Sequence, residues 1–287
     1  MIHNDIELEV TKEHIRYKVG KNMYVNSRAT RCFWGLLLNG TLGCVGLIVL
    51  SLMFTGISNA KIDPKTIVGM WLFDEGKGDK ALDSSESGND GKLENEPKWA
   101  TGKFGQALEF DGEKGYVDVG NLGLSGAVTL VFWAKPDSAI NDDRLISNIT
   151  GLTNPAFTIR FQGGGVEVWS TAWKQVIAKF DNNKWGHYAF VFDDSGGPVG
   201  NATGYYNGVE GSTVSDPYVF TDIGIGANFL DTWGQYFKGV LDGVAFFNIA
   251  LTHNDINNVM TKGLKSAAAV SPTGKLATNW GTIKAQY

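Results

Sequence analysis

The chain has 287 residues, a formal net charge of −5, 37 glycines, 7 prolines and 12% aromatic residues. This composition excludes a collagen, a coiled coil and a disordered chain, and it suits one β-rich domain of ~200–250 residues. Residues 1–60 hold 6 Lys/Arg and 4 Asp/Glu, so the remainder holds 19 and 26, a net charge of −7. An acidic domain lacks the basic surface that phosphates require, so we expect no nucleic-acid partner.

Residues 1–60 have the pattern of an N-terminal extension with a signal peptide. Arg28 and Arg31 form a basic segment, and residues 33–55 are uncharged and largely apolar. Small residues at Ser58-Asn59-Ala60 are typical of a cleavage site. We therefore predict a hydrophobic leader helix and a protein that is secreted, periplasmic or on the cell surface.

Two features of this extension leave alternatives open. Met23 is a possible start of translation, with cleavage after Ala60. The apolar run is long enough to cross a bilayer, so an uncleaved membrane anchor over residues 33–57 is the alternative to a signal peptide. Cys32 and Cys44 both lie here, so the chain after Ala60 has no thiol for a disulfide, a cysteine-based zinc site or a cysteine nucleophile.

After a polar lead-in at residues 61–66, short apolar segments alternate with turns rich in Gly, Asp and Asn, which predicts β-strands. Asn207-Gly208 is the expected tip of a hairpin. The predicted strands cover 67–73, 107–110, 116–119, 127–134, 144–148, 156–161, 166–169, 175–180, 185–193, 223–227 and 236–248. One helix is predicted after the last strand, capped by Thr252 or Asn254, and residues 264–287 are predicted to be a polar tail.

Three segments carry a family resemblance. They are W-L-F-D-E-G-K-G with D-S-S-E-S-G-N-D-G (71–91), G-K-F-G-Q-A-L-E-F-D-G with Y-V-D-V (102–119), and G-V-L-D-G-V-A-F-F-N-I-A-L-T-H-N-D-I (239–256). In this order they resemble a laminin-G-like domain of the concanavalin A-like lectin/glucanase superfamily. The resemblance implies an all-β jelly-roll sandwich of two antiparallel sheets over residues 67–263, with the first and last strands side by side.

Acidic residues at strand ends and in Gly-rich turns suggest a metal site. Many relatives in this family hold a structural calcium ion near such loops, and calcium prefers carboxylate and carbonyl oxygens. The resemblance therefore implies calcium as a cofactor, with Asp74, Asp83, Asp111 and Asp242 as candidate ligands. The alternative is that these side chains accept hydrogen bonds from their own turns.

Aromatic residues next to polar segments suggest a sugar platform. Trp169 and Trp173 flank Ser170-Thr171, and Arg160 and Tyr206 are further candidate ligand-binding residues. The partner would be a glycan or a glycosylated surface. The alternative is a protein partner in an adhesion or structural module without sugar affinity, because exposed tryptophans also mark protein interfaces. Three other tryptophans, Trp71, Trp133 and Trp185, are predicted to lie in the core.

The sequence does not favour catalysis. Glucanases of this superfamily carry acidic residues at alternate positions of one strand, so that the carboxylates share a face. No such triad is present here: Glu167 stands alone in V-E-V-W. His187, in W-G-H-Y-A-F-V-F-D, is predicted to be a buried structural histidine. We therefore predict a non-catalytic recognition module, with a glycan-cleaving enzyme as the least favoured reading.

Overall fold

The computed structural model describes residues 7–10, 14–18, 24–28, 62–137, 142–150, 156–193, 200–227 and 235–268. The chain divides into two units between Ala60 and Lys61. In the first unit, β1 (Glu7–Val10), β2 (His14–Lys18) and β3 (Tyr24–Arg28) form one antiparallel sheet. The predicted leader helix, cleavage site and membrane anchor lie outside the described residues, and none of the described helices is long and apolar enough to span a membrane.

The second unit is a sandwich of two antiparallel sheets. Its strands are β4 (Ile67–Trp71), β5 (Lys80–Ala81), β6 (Gly91–Glu94), β7 (Lys98–Thr101), β8 (Gln106–Asp111), β9 (Tyr116–Asn121), β10 (Val128–Pro136), β11 (Asp143–Asn148), β12 (Thr158–Gln162), β13 (Gly165–Trp169), β14 (Trp173–Ile177), β15 (Gly186–Asp193), β16 (Gly200–Tyr206), β17 (Val209–Asp216), β18 (Asp222–Ile225) and β19 (Lys238–Phe247). Sheet 1 has the order β17-β16-β15-β10-β19-β8-β7, and β4 also pairs with β19. Sheet 2 has the order β14-β13-β12-β11-β18-β9-β6-β5. The predicted all-β sandwich is confirmed, and so is the pairing of its first and last strands.

The core lies between the sheets because successive side chains of a strand point to opposite faces. On β10, Leu130 and Phe132 point into the sandwich, where Phe132 stacks on Tyr188 and Phe190 at centroid distances of 5.4 and 6.0 Å. Phe161 of sheet 2 meets Tyr188 edge to face at 5.4 Å. Burying each such side chain contributes roughly 1.5–3 kcal/mol, so these aromatic contacts hold the two layers together.

The outer face of sheet 1 is covered by helix α1 (His253–Lys262). Thr252 and Asp255 form a capping box at its start, and the helix ends at Gly263, whose φ of 76° favours glycine. Ile256 and Val259 are buried in an apolar cluster with Val131, Ala189 and Ala245 on the outer side of sheet 1. Both described α-helices belong to this cluster, and the outer face of sheet 2 has no helix among the described residues.

The structure corrects three sequence expectations. A second helix, α2 (Leu264–Ala268), follows α1, and its Leu264 and Ala267 are buried, so the polar tail does not begin at residue 264. Strands β5, β6 and β7 lie in a stretch read as turns and loop. Trp185 is only half-buried, with Lys135 over its ring, whereas Trp71 is fully buried and Trp133 nearly so.

Thr129 provides a test of how the last strand is fastened to the sandwich. Its hydroxyl is fully buried, donates to the Ile249 carbonyl at 2.7 Å and accepts from the Leu251 amide at 2.9 Å. Thr129→Val keeps the shape and leaves both backbone groups without this partner, so we expect the free energy of unfolding to fall by about 1–3 kcal/mol. Urea denaturation measures this. The control Thr203→Val, at a hydroxyl paired with Thr213 near the surface, should change it by less than about 0.5 kcal/mol. Equal effects of the two substitutions would contradict the stabilising role of the Thr129 hydroxyl.

Candidate functional site

A row of polar side chains crosses the outer face of sheet 2. Arg144 on β11 lies opposite Arg160 on β12, Arg160 lies opposite Glu167 on β13, and Glu167 lies opposite Gln175 on β14. On β12 the neighbours of Arg160, Ile159 and Phe161, are fully buried in the core. The alternation of each strand and the register between strands therefore place four polar residues in line on the face away from the core.

Ion pairs link this row into a cluster. Arg160 Nη2 lies 2.6 Å from Glu167 Oε2, and Arg160 Nη1 lies 2.6 Å from Asp142 Oδ1. Asp142 Oδ1 also lies 3.1 Å from Arg144 Nη2. Gln235 accepts from Arg144 Nε at 2.8 Å and donates to Asp142 Oδ2 at 2.7 Å. We call Asp142, Arg144, Arg160, Glu167 and Gln235 the arginine cluster.

The cluster is balanced in charge but is not fully satisfied. The Arg144 side chain is only 6% exposed, and its Nη1 is buried with no hydrogen-bond partner among the described residues. Burial lowers the pKa of Arg144 to about 10; Asp142 opposes this shift and Arg160 adds to it. The guanidinium thus stays charged at neutral pH, and a buried donor group is left unpaired, which costs about 1–3 kcal/mol.

Two tryptophans complete this surface. Trp169 and Trp173 face each other across β13 and β14, with ring centroids 5.1 Å apart. The guanidinium carbon atoms of Arg160 and Arg144 lie 3.7 and 4.3 Å from the centroid of the Trp173 ring, within cation–π range. Both tryptophans are half-buried. The surface thus offers aromatic rings next to strong hydrogen-bond donors.

The structure brings together three of the four residues proposed to bind a ligand, Trp169, Trp173 and Arg160, and separates the fourth. Tyr206 lies on β16 in sheet 1, where its ring packs against Tyr188 at 5.1 Å and its hydroxyl accepts from the Asp181 amide at 3.3 Å. Tyr206 therefore packs against the core and does not share a face with the other three, because strand order rather than sequence distance decides which residues share a face. Sequence reasoning missed Arg144, Asp142 and Gln235. Of these three, only Arg144 could have been found from the sequence, because it directly precedes the apolar residues of the predicted strand that became β11.

The four predicted calcium ligands divide into a pair and two separate turns. Asp74 and Asp242 line one pocket of about 360 Å³, together with Leu72, Phe104, Trp133 and the end of α1. Asp242 is 2% exposed and accepts from the Phe104 amide at 2.7 Å. Burial raises the pKa of Asp242 to about 6; the amides of Phe104 and Lys103 oppose this shift, and the charge of Asp74 adds to it. The pairing of β4 with β19 therefore brings these two carboxylates near each other.

Asp83 and Asp111 accept hydrogen bonds from nearby turns. Asp83 accepts from the amides of Met70, Ser85 and Asn89 at 2.8–2.9 Å. Burial tends to raise the pKa of Asp111, but bonds from backbone amides, including those of Glu113 and Lys114, outweigh it and lower the pKa. No group of three or more His, Cys, Asp or Glu residues in the described part of the chain is arranged to hold a metal ion. Calcium binding stays a prediction, while the hydrogen bonds of Asp83 and Asp111 match the turn-capping alternative.

The residues considered for catalysis have structural surroundings. His187 is fully buried, contacts Trp133 at a ring distance of 5.3 Å, and has a pKa that burial lowers to about 3. It is therefore neutral. The two carboxylates of the arginine cluster, Asp142 and Glu167, both pair with Arg160. This arrangement favours a charge-stabilised surface over a general acid facing a nucleophile.

Comparison with known proteins agrees with this two-sheet sandwich. A family model described as the concanavalin A-like lectin/glucanases superfamily matches residues 111–257, just over half of the chain. The chain belongs to this superfamily. No curated protein matches its sequence significantly.

Solved structures share the fold at low sequence identity. One is domain 4 of an extracellular GH43 arabinanase from Geobacillus stearothermophilus, solved in complex with arabinotriose. Its TM-score is 0.56 at 20% identity, and the match covers 68% of this chain and 98% of the arabinanase domain. A structure of botulinum neurotoxin type C, whose cell entry depends on interaction with two ganglioside molecules, has a TM-score of 0.52 at 15% identity. The match covers 69% of this chain and 51% of the toxin chain. The binding domain of botulinum neurotoxin DC, in complex with rat synaptotagmin II, has a TM-score of 0.51 at 14% identity. The match covers 70% of this chain and 52% of the toxin chain. This chain therefore matches about half of each toxin structure.

The raised pKa of Asp242 predicts a pH-dependent stability. Burial in the folded state raises the pKa of this carboxyl group from its ordinary value of 3.8 to about 6. Between these values the folded protein holds more protons than the unfolded chain, so the contribution of Asp242 to stability falls as the pH rises. We expect the free energy of unfolding of the wild type, minus that of Asp242→Asn, to fall by on the order of 2–3 kcal/mol from about pH 4 to about pH 7.

Urea denaturation at several pH values measures this difference. Asp111→Asn is the matched control, because the pKa of Asp111 is lowered in the folded state. The free energy of unfolding of the wild type, minus that of Asp111→Asn, should rise with pH. The reason is that the contribution of Asp111 to stability is lost as the pH falls through its folded pKa. A flat difference for Asp242→Asn would mean that this carboxyl group is hydrated in solution.

Proposed function

We propose that the domain is an exported, non-catalytic glycan-binding module and that the sugar binds on the outer face of sheet 2. The observation that carries the proposal is the pair Trp169 and Trp173 beside the arginine cluster, on a face that no described helix covers. The apolar face of a sugar ring packs on an aromatic ring, while its hydroxyl groups need donors and acceptors at the edge. Arg160, Glu167 and Gln175 supply such groups within the same row.

The comparisons support this choice of ligand class without assigning a site. The superfamily includes lectins, and two proteins of similar fold bind arabinotriose or gangliosides. Export is part of the proposal because of the signal-peptide pattern that ends at Ala60. The ion pairs of Asp142 and Glu167 with Arg160 support recognition rather than hydrolysis.

A protein ligand is the second candidate, and one feature of sheet 1 favours it. Strand β17 is an edge strand with most of its residues exposed, and its Val209 is 70% exposed. An edge strand offers unpaired backbone groups to which an extended peptide can add. One protein of similar fold was solved in complex with synaptotagmin II. Val209 begins β17, whereas Asp216 at the other end of the strand bonds Thr171 between the two tryptophans, so substitution of Val209 tests this surface separately.

Substitution of the tryptophans tests the glycan proposal. A glycan array probed with the full chain identifies a ligand, and titration calorimetry then gives its affinity. Trp173→Ala and Trp169→Ala should each weaken binding about tenfold or more, because losing an aromatic contact costs on the order of 1.4 kcal/mol. The control Val209→Ser, at the edge of the other sheet, should bind the glycan with unchanged affinity.

Two results would count against the proposal. One is an array on which the folded full chain binds no glycan. The other is a glycan that binds the tryptophan variants as tightly as the wild type while Val209→Ser weakens it. Circular dichroism and urea denaturation should first show that each variant is folded, because Trp173 also contacts both arginines.

A further inference from the structure

Asp142 is the member of the arginine cluster that connects both arginines. Its Oδ1 lies within 3.1 Å of Arg144 Nη2 and within 2.6 Å of Arg160 Nη1. Its side chain is 30% exposed, whereas those of Arg160 and Arg144 are 14% and 6% exposed. Its φ is 69°, a left-handed conformation that is uncommon outside glycine, although Asp tolerates it better than most residues. Asp142 thus reaches the buried arginines from the surface side of the cluster.

The two arginines need an anion at this position. Arg144 and Arg160 are directly opposite each other on neighbouring strands, and like charges at such positions repel. The repulsion is strong here because both side chains are largely removed from water. A carboxylate between them removes the repulsion and accepts a charge-assisted hydrogen bond from each guanidinium. A neutral group at this position, such as a hydroxyl, would leave the charges of Arg144 and Arg160 without a counter-ion.

The arginine pair also keeps donor capacity that Asp142 does not use. Arg144 Nη1 is buried and has no partner among the described residues, although the neighbouring Nη2 and Nε are both bonded. This unpaired donor is on a side chain that is more than nine-tenths buried, and it belongs to the same guanidinium group that Asp142 contacts. The site therefore fits a second arrangement of acceptor oxygens.

We propose that the arginine pair is a carboxylate subsite for an acidic glycan and that Asp142 is an internal carboxylate that the sugar carboxylate replaces. The proposal rests on the glycan-binding function proposed above and names the class of sugar. Exchange of one carboxylate for another leaves the charge of the cluster unchanged. Since Asp142 is already partly exposed, its return to water is not costly.

The position of the tryptophans fits this exchange. Both guanidinium groups lie within 4.3 Å of the Trp173 ring centroid, and Trp169 is the next ring at 5.1 Å. A carboxylate held by Arg144 and Arg160 thus places the sugar ring that carries it beside the Trp169–Trp173 pair. The aromatic pair supplies contact area, and the arginine pair supplies the preference for a charged sugar.

The test uses the full chain and paired probes. The probes are oligosaccharides of galacturonic, glucuronic and sialic acid, each compared with its methyl ester, which has the same skeleton without the charge. We expect at least one acid to bind the wild type ten times or more as tightly as its ester. Asp142→Asn should bind that acid about tenfold more tightly than the wild type and the ester equally, because the internal competitor has lost its charge. Asn also tolerates a left-handed backbone, so the turn is preserved.

Two further variants keep the test decisive. Glu210→Gln, on β17 of the other sheet, removes the same charge and should leave the ratio of acid to ester affinity unchanged, which controls for the net charge of −7 after residue 60. Arg160→Lys keeps the charge but loses the paired donors, so it should lower that ratio. If Asp142→Asn does not fold, the response of Arg160→Lys against Glu210→Gln decides.

The outcomes separate this inference from the function on which it rests. Equal binding of acids and esters that still depends on Trp173 overturns the carboxylate subsite and leaves glycan binding standing. Weaker binding of the acid by folded Asp142→Asn also overturns it, because Asp142 is then part of the site rather than its competitor. Failure of every acidic and neutral glycan to bind overturns both proposals.

Discussion

The alternation of side chains between the two faces of each sheet is the constraint on which the rest of this structure depends. Each sheet must bury one face against the other, and the contacts of Phe132 and Phe161 with Tyr188 join the two inner faces. The side chains between these inward residues must then point to the outer face of their sheet. On the central strands of sheet 1 these outward residues include Val131, Ala189 and Ala245, which are apolar and are covered by α1. On β11 to β14 of sheet 2 they are charged, polar and aromatic.

The difference between the two outer faces has an energetic cost that a purely structural role does not explain well. Burying a guanidinium such as that of Arg144 costs several kcal/mol, and buried ion pairs often only break even against apolar residues of similar volume. Arg144 also keeps a buried donor without a partner among the described residues. Sheet 1 shows that this sequence can cover an outer face with apolar contacts. The charged alternative on sheet 2 is more readily explained by recognition of a polar ligand.

Sequence reasoning found most of the sandwich because its signals are local. Apolar runs such as Val128–Pro136 and turn residues such as Asn207-Gly208 each fix one element, and both lie where expected. It missed β6 (Gly91–Glu94) because that strand begins inside a run of turn-forming residues and is specified by its partner β9. It also ended the packed region before α2, where Leu264 is buried by contacts with distant strands. Non-local pairing decided each of these cases.

The candidate site depends on non-local pairing to a greater extent. Trp169 and Trp173 were found because they flank a short polar segment, and Arg160 because it alternates with core residues. Arg144 joins them only through the register between β11 and β12, and Asp142 and Gln235 join from segments that have no strand pattern. Tyr206 lies apart from these residues, because β16 belongs to the other sheet and the sequence does not show strand order.

The two partly or fully buried aspartates on opposite sides of the sandwich show how surroundings decide the role of one residue type. Asp142 lies between two guanidinium groups, and its carboxylate is already engaged by both. Asp242 has backbone donors but no ion pair among the described residues, and burial therefore raises its pKa to about 6. A carboxylate of the first kind is held by groups that bind anions, which is the basis of the proposed exchange. A carboxylate of the second kind disfavours charge at its position and instead makes stability depend on pH. This contrast is why we propose recognition at the arginine cluster on sheet 2 and not at the acidic pocket beside α1.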